Sequence, residues 1–228
     1  ASLWSKNIKG VTVTVEATGA SLENIRLLDT KSVELGLVQN DNIDYAWNGV
    51  EFFKAPIKNI RAIASLYPEV LHWPVTVESG VKDIPGLKGK RFCVGPAGSG
   101  TETNTRQVFE AAGLTYEDLA KKVNLSFAEA TAAVKDRQLD GYANTGGVPT
   151  AAITDLATSI DVNILGISGT IADKLLAKYK FYVPATVPAN SYRGQEKDVQ
   201  TVAVLAQLVV REDLDTDLVY WLTKTLIE

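Results

Sequence analysis

The chain has 228 residues, 46% of them hydrophobic, and a formal net charge of −4, so it is long enough to bury a large core in one or two domains. The acidic balance and the absence of a long Lys/Arg cluster argue against a nucleic-acid or anionic-membrane partner, which would need a basic footprint. No apolar run reaches the roughly 18 residues of a membrane span, and the first residues lack the basic, apolar, small-residue order of a signal peptide.

Taken in chain order, residues 2–6 read as a helix tail ended near Asn7 and Gly10, and residues 11–16 alternate Val and Thr as a half-buried strand does. Residues 21–30 carry Leu22, Ile25, Leu27 and Leu28 on a helical face. Residues 35–38 form a buried strand leading into Gln39-Asn40-Asp41, a capping cluster for a short helix through Tyr45 and Trp47 to Gly49. Strands are predicted at 60–66, 75–78 and 90–94, bounded by Pro68, Pro74, Pro85 and Gly89. Helices follow at 102–112, stopped by Gly113, at 116–121 and at 127–136. The strand at 141–143 runs into Asn144-Thr145-Gly146-Gly147-Val148-Pro149, with Pro149 placed in the first turn of a helix to Thr158. Residues 164–166, 181–183 and 202–210 read as further strands, and 217–228 as a helix. The alternation predicts a parallel α/β sheet. The opening helix tail, the missing methionine and the uncapped final helix lead us to expect truncation at both ends.

The most informative stretch is Val94-Gly95-Pro96-Ala97-Gly98-Ser99-Gly100-Thr101-Glu102, which joins an apolar strand to a helix start. First-turn N–H groups have no intrahelical partners and sit at the positive end of the helix dipole, so such a junction cradles an anion. It is not a Walker A loop, because Thr101-Glu102 stands where that motif needs Lys and then Ser or Thr, and Glu102 would repel phosphates. It also departs from the dinucleotide fingerprint, with Thr103 in place of the third glycine. A small carboxylate fits better. The Thr145-Gly146-Gly147 junction is a second site of this type, and a weak echo relates residues 32–40 to 137–145. With Ala17-Thr18-Gly19-Ala20-Ser21, the chain has four polar strand-end loops and no base among them, a pattern of binding without chemistry.

Cys93 is the single cysteine and lies in an apolar run, as a buried small hydrophobe; no internal disulfide is possible. His72, the one histidine, reads as a hinge or loop position with a structural hydrogen bond. One histidine and no clustered cysteines hold no metal, and no G-x-S-x-G elbow supports hydrolysis. No cofactor is expected.

Several runs carry a family resemblance: Gly95 to Glu102 with Glu110-Ala111-Ala112-Gly113-Leu114-Thr115-Tyr116, Leu66-Tyr67-Pro68-Glu69, residues 83–94, Thr145-Gly146-Gly147 with Pro149, residues 15–24, and Leu37-Val38-Gln39-Asn40-Asp41. Together they resemble the TAXI family of TRAP-transporter solute receptors over nearly the whole chain. The resemblance implies a periplasmic or otherwise extracytoplasmic binding protein, not an enzyme. Its fold would be the two-lobed clamshell of the type II periplasmic binding proteins, each lobe a mixed sheet flanked by helices. The partners implied are a small anionic or zwitterionic carboxylate, such as glutamate, glutamine or a dicarboxylate, and a membrane permease driven by an ion gradient. No direct membrane insertion is implied. The family's first strand and glycine loop would precede Ala1 and its last helices follow Glu228, and Asn40-Asp41 departs from the family's Ser before an acid.

The bends place one lobe at 1–75 plus 186–228 and the other at 76–185, with hinge strands near 74–77 and 182–188. Ser99, Gly100 and Thr101 are the expected donors to a ligand carboxylate, with Gly98 permitting close approach. Thr145, Gly146 and Gly147 would hold another part of the ligand. Thr18, Gly19, Gln39 and Asn40 would add neutral contacts, or serve only as helix caps and a strand-end hydrogen bond. Arg106 reads as a surface arginine or an ion pair to the ligand; Tyr45 and Trp47 either wall the site or pack their helix. The rival reading is a small-molecule enzyme using the Gly98–Thr101 loop as a phosphate cradle, for which His72 is the one strong base candidate. A signalling receptor on the same fold is a third.

Overall fold

The computed structural model describes all of residues 1–228. In chain order the elements are α1 (Ser2–Asn7), α2 (Ser21–Asp29), β1 (Leu35–Gln39), α3 (Asn40–Asn48), β2 (Ile60–Leu71), β3 (Trp73–Thr76), β4 (Arg91–Cys93), α4 (Gly100–Ala112), β5 (Lys121–Val123), α5 (Phe127–Lys135), β6 (Gly141–Tyr142), β7 (Thr145–Gly146), α6 (Ala151–Ser159), β8 (Val162–Leu165), α7 (Gly169–Lys178), β9 (Val183–Val187), β10 (Val199–Arg211) and α8 (Thr216–Ile227). This is an α/β fold with two five-stranded sheets flanked by helices. It divides into two compact units, residues 1–66 with 206–228 and residues 67–205. The divisions fall inside β2 and β10. The expected hinge stretches, 74–77 and 182–188, correspond largely to β3 and β9.

Local chemistry accounts for the ends of the elements. Gly49 and Gly113 close α3 and α4 in the left-handed conformation that glycine adopts without strain. Ser126 and Glu129 form a reciprocal capping box on α5, and Asp215 caps α8 by accepting from the Leu218 N–H at 2.9 Å. In the first unit β1 pairs antiparallel with β10, from Leu35 opposite Val210 to Gln39 opposite Ala206. Trp4, Leu208 and Leu222 form a small core there, and the Trp4 indole N–H donates to the Leu222 carbonyl at 2.9 Å.

The second unit is a three-layer sandwich. Its sheet runs β5-β4-β6-β3-β8, with β4 parallel to β5 and β6, and β3 antiparallel to β6 and β8. Side chains alternate across it as a strand requires. Phe92, Trp73 and Val75 join Val108, Phe109 and Leu175 of α4 and α7 on one face. Cys93 and Tyr142 join Ala130, Val134, Ile153 and Leu156 of α5 and α6 on the other.

Several expectations are corrected. Residues 11–16 form no strand, because the Val/Thr alternation meets no neighbouring ladder and leaves Val15 80% exposed. β2 continues through Pro68, an exposed strand position that can dispense with its N–H. Residues 77–79 and 116–118 are single 3-10 turns, and the second feeds β5 in place of a continued helix. Pro149 lies outside α6, whose N-cap is the extended Thr150. β9 begins at Val183, two residues later than expected. The parallel sheet expected throughout is realised only around β4: β1 with β10, β9 with β10 and β2 with β7 are all antiparallel.

Gly166, just after β8, packs so tightly that a Cβ would lie 2.1 Å from the Gln200 carbonyl oxygen. Gly166→Ala is therefore expected to destabilise the protein by about 3 kcal/mol, as overpacking against immovable backbone does. Urea unfolding checks this through a lowered midpoint at unchanged slope.

Candidate functional site

Because β4 and β6 are parallel neighbours, Phe92 opposite Gly141 and Cys93 opposite Tyr142, their carboxyl ends open onto one edge of the second unit. The loop 94–99 leaves β4 there and the segment 143–147 leaves β6. β3 runs the other way, so its preceding residue His72 arrives at the same edge, and the His72 N–H donates to the Asn144 carbonyl at 3.1 Å. α4 packs against β7. The structure thus brings Gly98, Ser99, Gly100 and Thr101 together with Thr145, Gly146 and Gly147.

The loop's glycines are required by its shape. Gly95 has φ +101°, and a Cβ on it would lie 2.8 Å from Thr101 Cγ2; Gly98 has φ +71°. Ser99 is the N-cap of α4: its hydroxyl donates to the Pro96 carbonyl at 2.7 Å and accepts from the Glu102 N–H at 3.1 Å. Its proton is thus spent within the loop, leaving the Gly100 and Thr101 backbone N–H groups as the donors of this junction. Glu102 is turned aside, accepting from the Tyr116 hydroxyl at 3.1 Å. Burial, and then this carboxylate, drive the Tyr116 pKa upward. Arg106 is half-buried and acts electrostatically on Tyr116 and Glu110.

Beside the loop lies a set of buried neutral side chains. Asn104 donates to the Tyr182 hydroxyl at 3.0 Å, and Tyr182 donates to Gln107 Oε1. His72, 0% exposed, places Nδ1 2.8 Å from the Val70 carbonyl, so Nδ1 carries the proton and Nε2 accepts. Nε2 lies 2.8 Å from the Tyr192 hydroxyl and 3.4 Å from Asn144 Nδ2. The Tyr192 oxygen in turn accepts from the Thr150 N–H at 2.9 Å. Burial lowers the His72 pKa to about 4, which keeps the ring neutral. Asn144 Oδ1, Thr145 Oγ1 and Trp73 Nε1 are buried with no hydrogen-bond partner.

In the first unit the other expected residues cluster at the end of β1. Thr18 Oγ1 donates to Asn24 Oδ1 at 2.5 Å, Asn24 Nδ2 donates to the Leu37 carbonyl at 2.7 Å, and the Gly19 N–H donates to the Glu23 carboxylate. The Gln39 N–H donates to Ser21 Oγ at 3.2 Å, and Asn40 Oδ1 accepts from the Asp41 N–H at 3.1 Å. Tyr45 is buried in this unit's core. Trp47 is 42% exposed beneath the Lys58 ammonium, 4.0 Å from its ring centre. Cys93 is buried as expected, its thiol pKa raised by burial. Sequence reasoning missed Asn104, Gln107, Asn144, Tyr182 and Tyr192 as a network; the one available signal was the uncharged run within α4, Thr103-Asn104-Thr105.

The model of the NMT1-like family matches residues 1–228, so the chain belongs to that family. Among solved structures it is similar to the alkanesulfonate-binding protein SsuA from Xanthomonas axonopodis pv. citri bound to MOPS. There the identity is 16% and the TM-score 0.60, over 99% of this chain and 64% of that one. It is also similar to an ancestral arginine-binding protein bound to arginine (15%, TM-score 0.57, 98% of this chain and 76% of that one). A third is a substrate-binding protein of an ABC uptake transporter from Streptococcus pneumoniae with bound histidine (16%, TM-score 0.57, 98% and 72%). The chain spans just under two thirds of the sulfonate-binding protein. The fold is that of the type II periplasmic binding proteins. No helix is long and apolar enough to cross a membrane.

The His72 pKa, lowered from 6.5 to about 4, carries a pH dependence. The unfolded chain binds the proton that the folded ring refuses, so stability is full above pH 6.5 and falls as pH drops toward 4, by about 3 kcal/mol. Denaturant unfolding at pH 7, 5.5 and 4 is expected to show this loss, and folded His72→Gln to lack the His72 component of it.

Proposed function

We propose that this member of the NMT1-like family is the extracytoplasmic solute receptor of a TAXI-type TRAP transporter, binding a small carboxylate such as glutamate, glutamine or a dicarboxylate. The observation that carries the reading is the polar edge of the second unit, where the N-terminus of α4, the Gly98–Thr101 loop and Thr145–Gly147 meet and the one histidine has both ring nitrogens hydrogen-bonded. Backbone N–H groups at a helix start bind an acid group without requiring a buried cation. The three similar proteins are bound to ligands that each carry an acid group: MOPS, arginine and histidine. The motif resemblance supports the TAXI assignment. An ABC importer is the second reading, favoured by the likeness to the pneumococcal substrate-binding protein of an ABC uptake transporter.

Catalysis has little to work with here. His72 has both ring nitrogens engaged, and the Cys93 thiol is buried and held protonated.

The test is thermal unfolding of the full chain, stripped of carried-over ligand by unfolding and refolding, against small carboxylates, amino acids, sulfonates and Mg-ATP. A ligand at one hundred times its Kd adds about 2.7 kcal/mol, which for a chain of this size raises Tm by roughly 5–10 °C. A rise with one carboxylate and none with Mg-ATP is expected, and Thr145→Val is expected to weaken that ligand about tenfold. A rise with Mg-ATP alone overturns the reading in favour of a phosphate-binding enzyme. Uptake by the reconstituted transporter that needs an ion gradient and not ATP separates TRAP from ABC.

A further inference from the structure

The hydrogen-bond relay around His72 has a fixed direction. The Thr150 N–H donates to the Tyr192 oxygen at 2.9 Å, and of the two acceptors within reach of the Tyr192 proton, His72 Nε2 at 2.8 Å is much nearer than Thr150 Oγ1 at 3.5 Å, so the proton goes to His72. His72 Nδ1 holds the ring proton against the Val70 carbonyl at 2.8 Å. Nε2 is therefore an acceptor, and the Asn144 side chain facing it at 3.4 Å must present its NH2 end. The carbonyl end of the same amide points away from His72.

That oxygen, Asn144 Oδ1, is buried and has no partner, in a residue that is 0% exposed. Buried amide oxygens in folded proteins are paired in the great majority of cases, so an orphan of this kind marks a missing partner. Asn144 adjoins Thr145, whose Oγ1 is also buried and unpartnered. A Cβ built on Gly147 would meet nothing within 4 Å, so the space beside that residue is open. An amide oxygen cannot donate. The group that completes it must bring an N–H or O–H.

We infer that Asn144 is a specificity-determining residue, selecting ligands that carry an amine or hydroxyl donor beside their acid group over keto or unsubstituted acids. The inference rests on the receptor reading. His72 and Tyr192 act through Asn144 as positioning residues, holding its NH2 end against Nε2 and so leaving Oδ1 as the free acceptor.

The experiment is calorimetric titration of the stripped full chain with matched acids of three, four and five carbons. Each series carries at position 2 an amine, a hydroxyl, a ketone or no substituent, as in alanine, lactate, pyruvate and propanoate. In the series that binds, the amino or hydroxy acid is expected to bind on the order of tenfold or more tighter than the keto and unsubstituted acids, the worth of one hydrogen bond to an otherwise orphaned group. Asn144→Leu, with folding verified by circular dichroism, is expected to erase that preference while the acid group still binds. Equal affinity across a series that binds overturns the inference and leaves the receptor reading intact, with an ordered water as the partner of Asn144 Oδ1. A preference that persists in folded Asn144→Leu also overturns it. No binding by any acid in the three series, or by those in the wider thermal screen, overturns both. If Asn144→Leu fails to fold, Asn144→Ser serves in its place, and the comparison on the native chain decides by itself.

Discussion

The parallel pairing of β4 with β6 is the constraint on which the second unit's polar edge depends. Parallel strands send their carboxyl ends to the same side, and ligands in open α/β sheets bind outside those ends. Here the pairing is only two residues deep, Phe92 with Gly141 and Cys93 with Tyr142, and it is hemmed in from the opposite flank. A Cβ at position 141 would lie 2.5 Å from the Pro74 carbonyl oxygen. Glycine at that position lets β6 lie between β4 and β3. With β3 running antiparallel, His72 is carried to the edge where the two loops begin. Three separate stretches of chain converge because one residue has no side chain.

The chemistry of that edge follows from the cost of burying charge. Removing an ion from water costs several kcal/mol even in a relaxed protein, whereas a hydrogen-bonded neutral dipole costs far less. Every buried polar side chain in the second unit is neutral: His72, Ser99, Thr101, Thr103, Asn104, Thr105, Gln107, Thr131, Asn144, Thr145, Gln195 and Thr201, with the histidine uncharged near neutral pH. The ion pairs of this unit, such as Arg91 with Asp140 and Lys178 with Glu110, keep at least one partner substantially exposed. A site assembled from dipoles carries no net charge of its own. Its helix-terminal N–H groups still present a partial positive charge at that edge.

What was legible in the sequence was whatever local chemistry dictates. The glycines of the 95–100 loop, the closures at Gly49 and Gly113 and the helix from Ser126 follow from backbone conformations and caps that a few neighbouring residues determine. The strand at 11–16 failed because alternation specifies a face and not a partner; Val15 found no ladder. Pro68 was misread because a proline ends only those strands whose N–H groups are needed. The neutral network was illegible for a different reason. His72 and Tyr192 lie 120 residues apart, as Asn104 and Tyr182 lie 78 apart. Within α4, Asn104 and Gln107 are indistinguishable by pattern from solvent-facing residues until the fold buries them against Tyr182.

Both relays pass through tyrosines that flank one strand. Tyr182 precedes β9 and reaches Asn104 and Gln107 in α4; Tyr192 follows it and reaches His72 and Thr150. β9 is held by five paired positions on β10, Val183 with Ala203 through Val187 with Val199. Gln195 secures the returning segment through its amide, donating to the Pro188 and Lys197 carbonyls at 3.0 and 2.8 Å. The hydroxyl protons that orient the edge are therefore placed by a hairpin that contributes no residue to the two glycine loops. Each tyrosine hydroxyl both accepts and donates, so each relay has one direction and cannot reverse without breaking a bond at both ends. The orientation of the Asn144 amide is thus set from the segment after β9, by way of Tyr192 and His72.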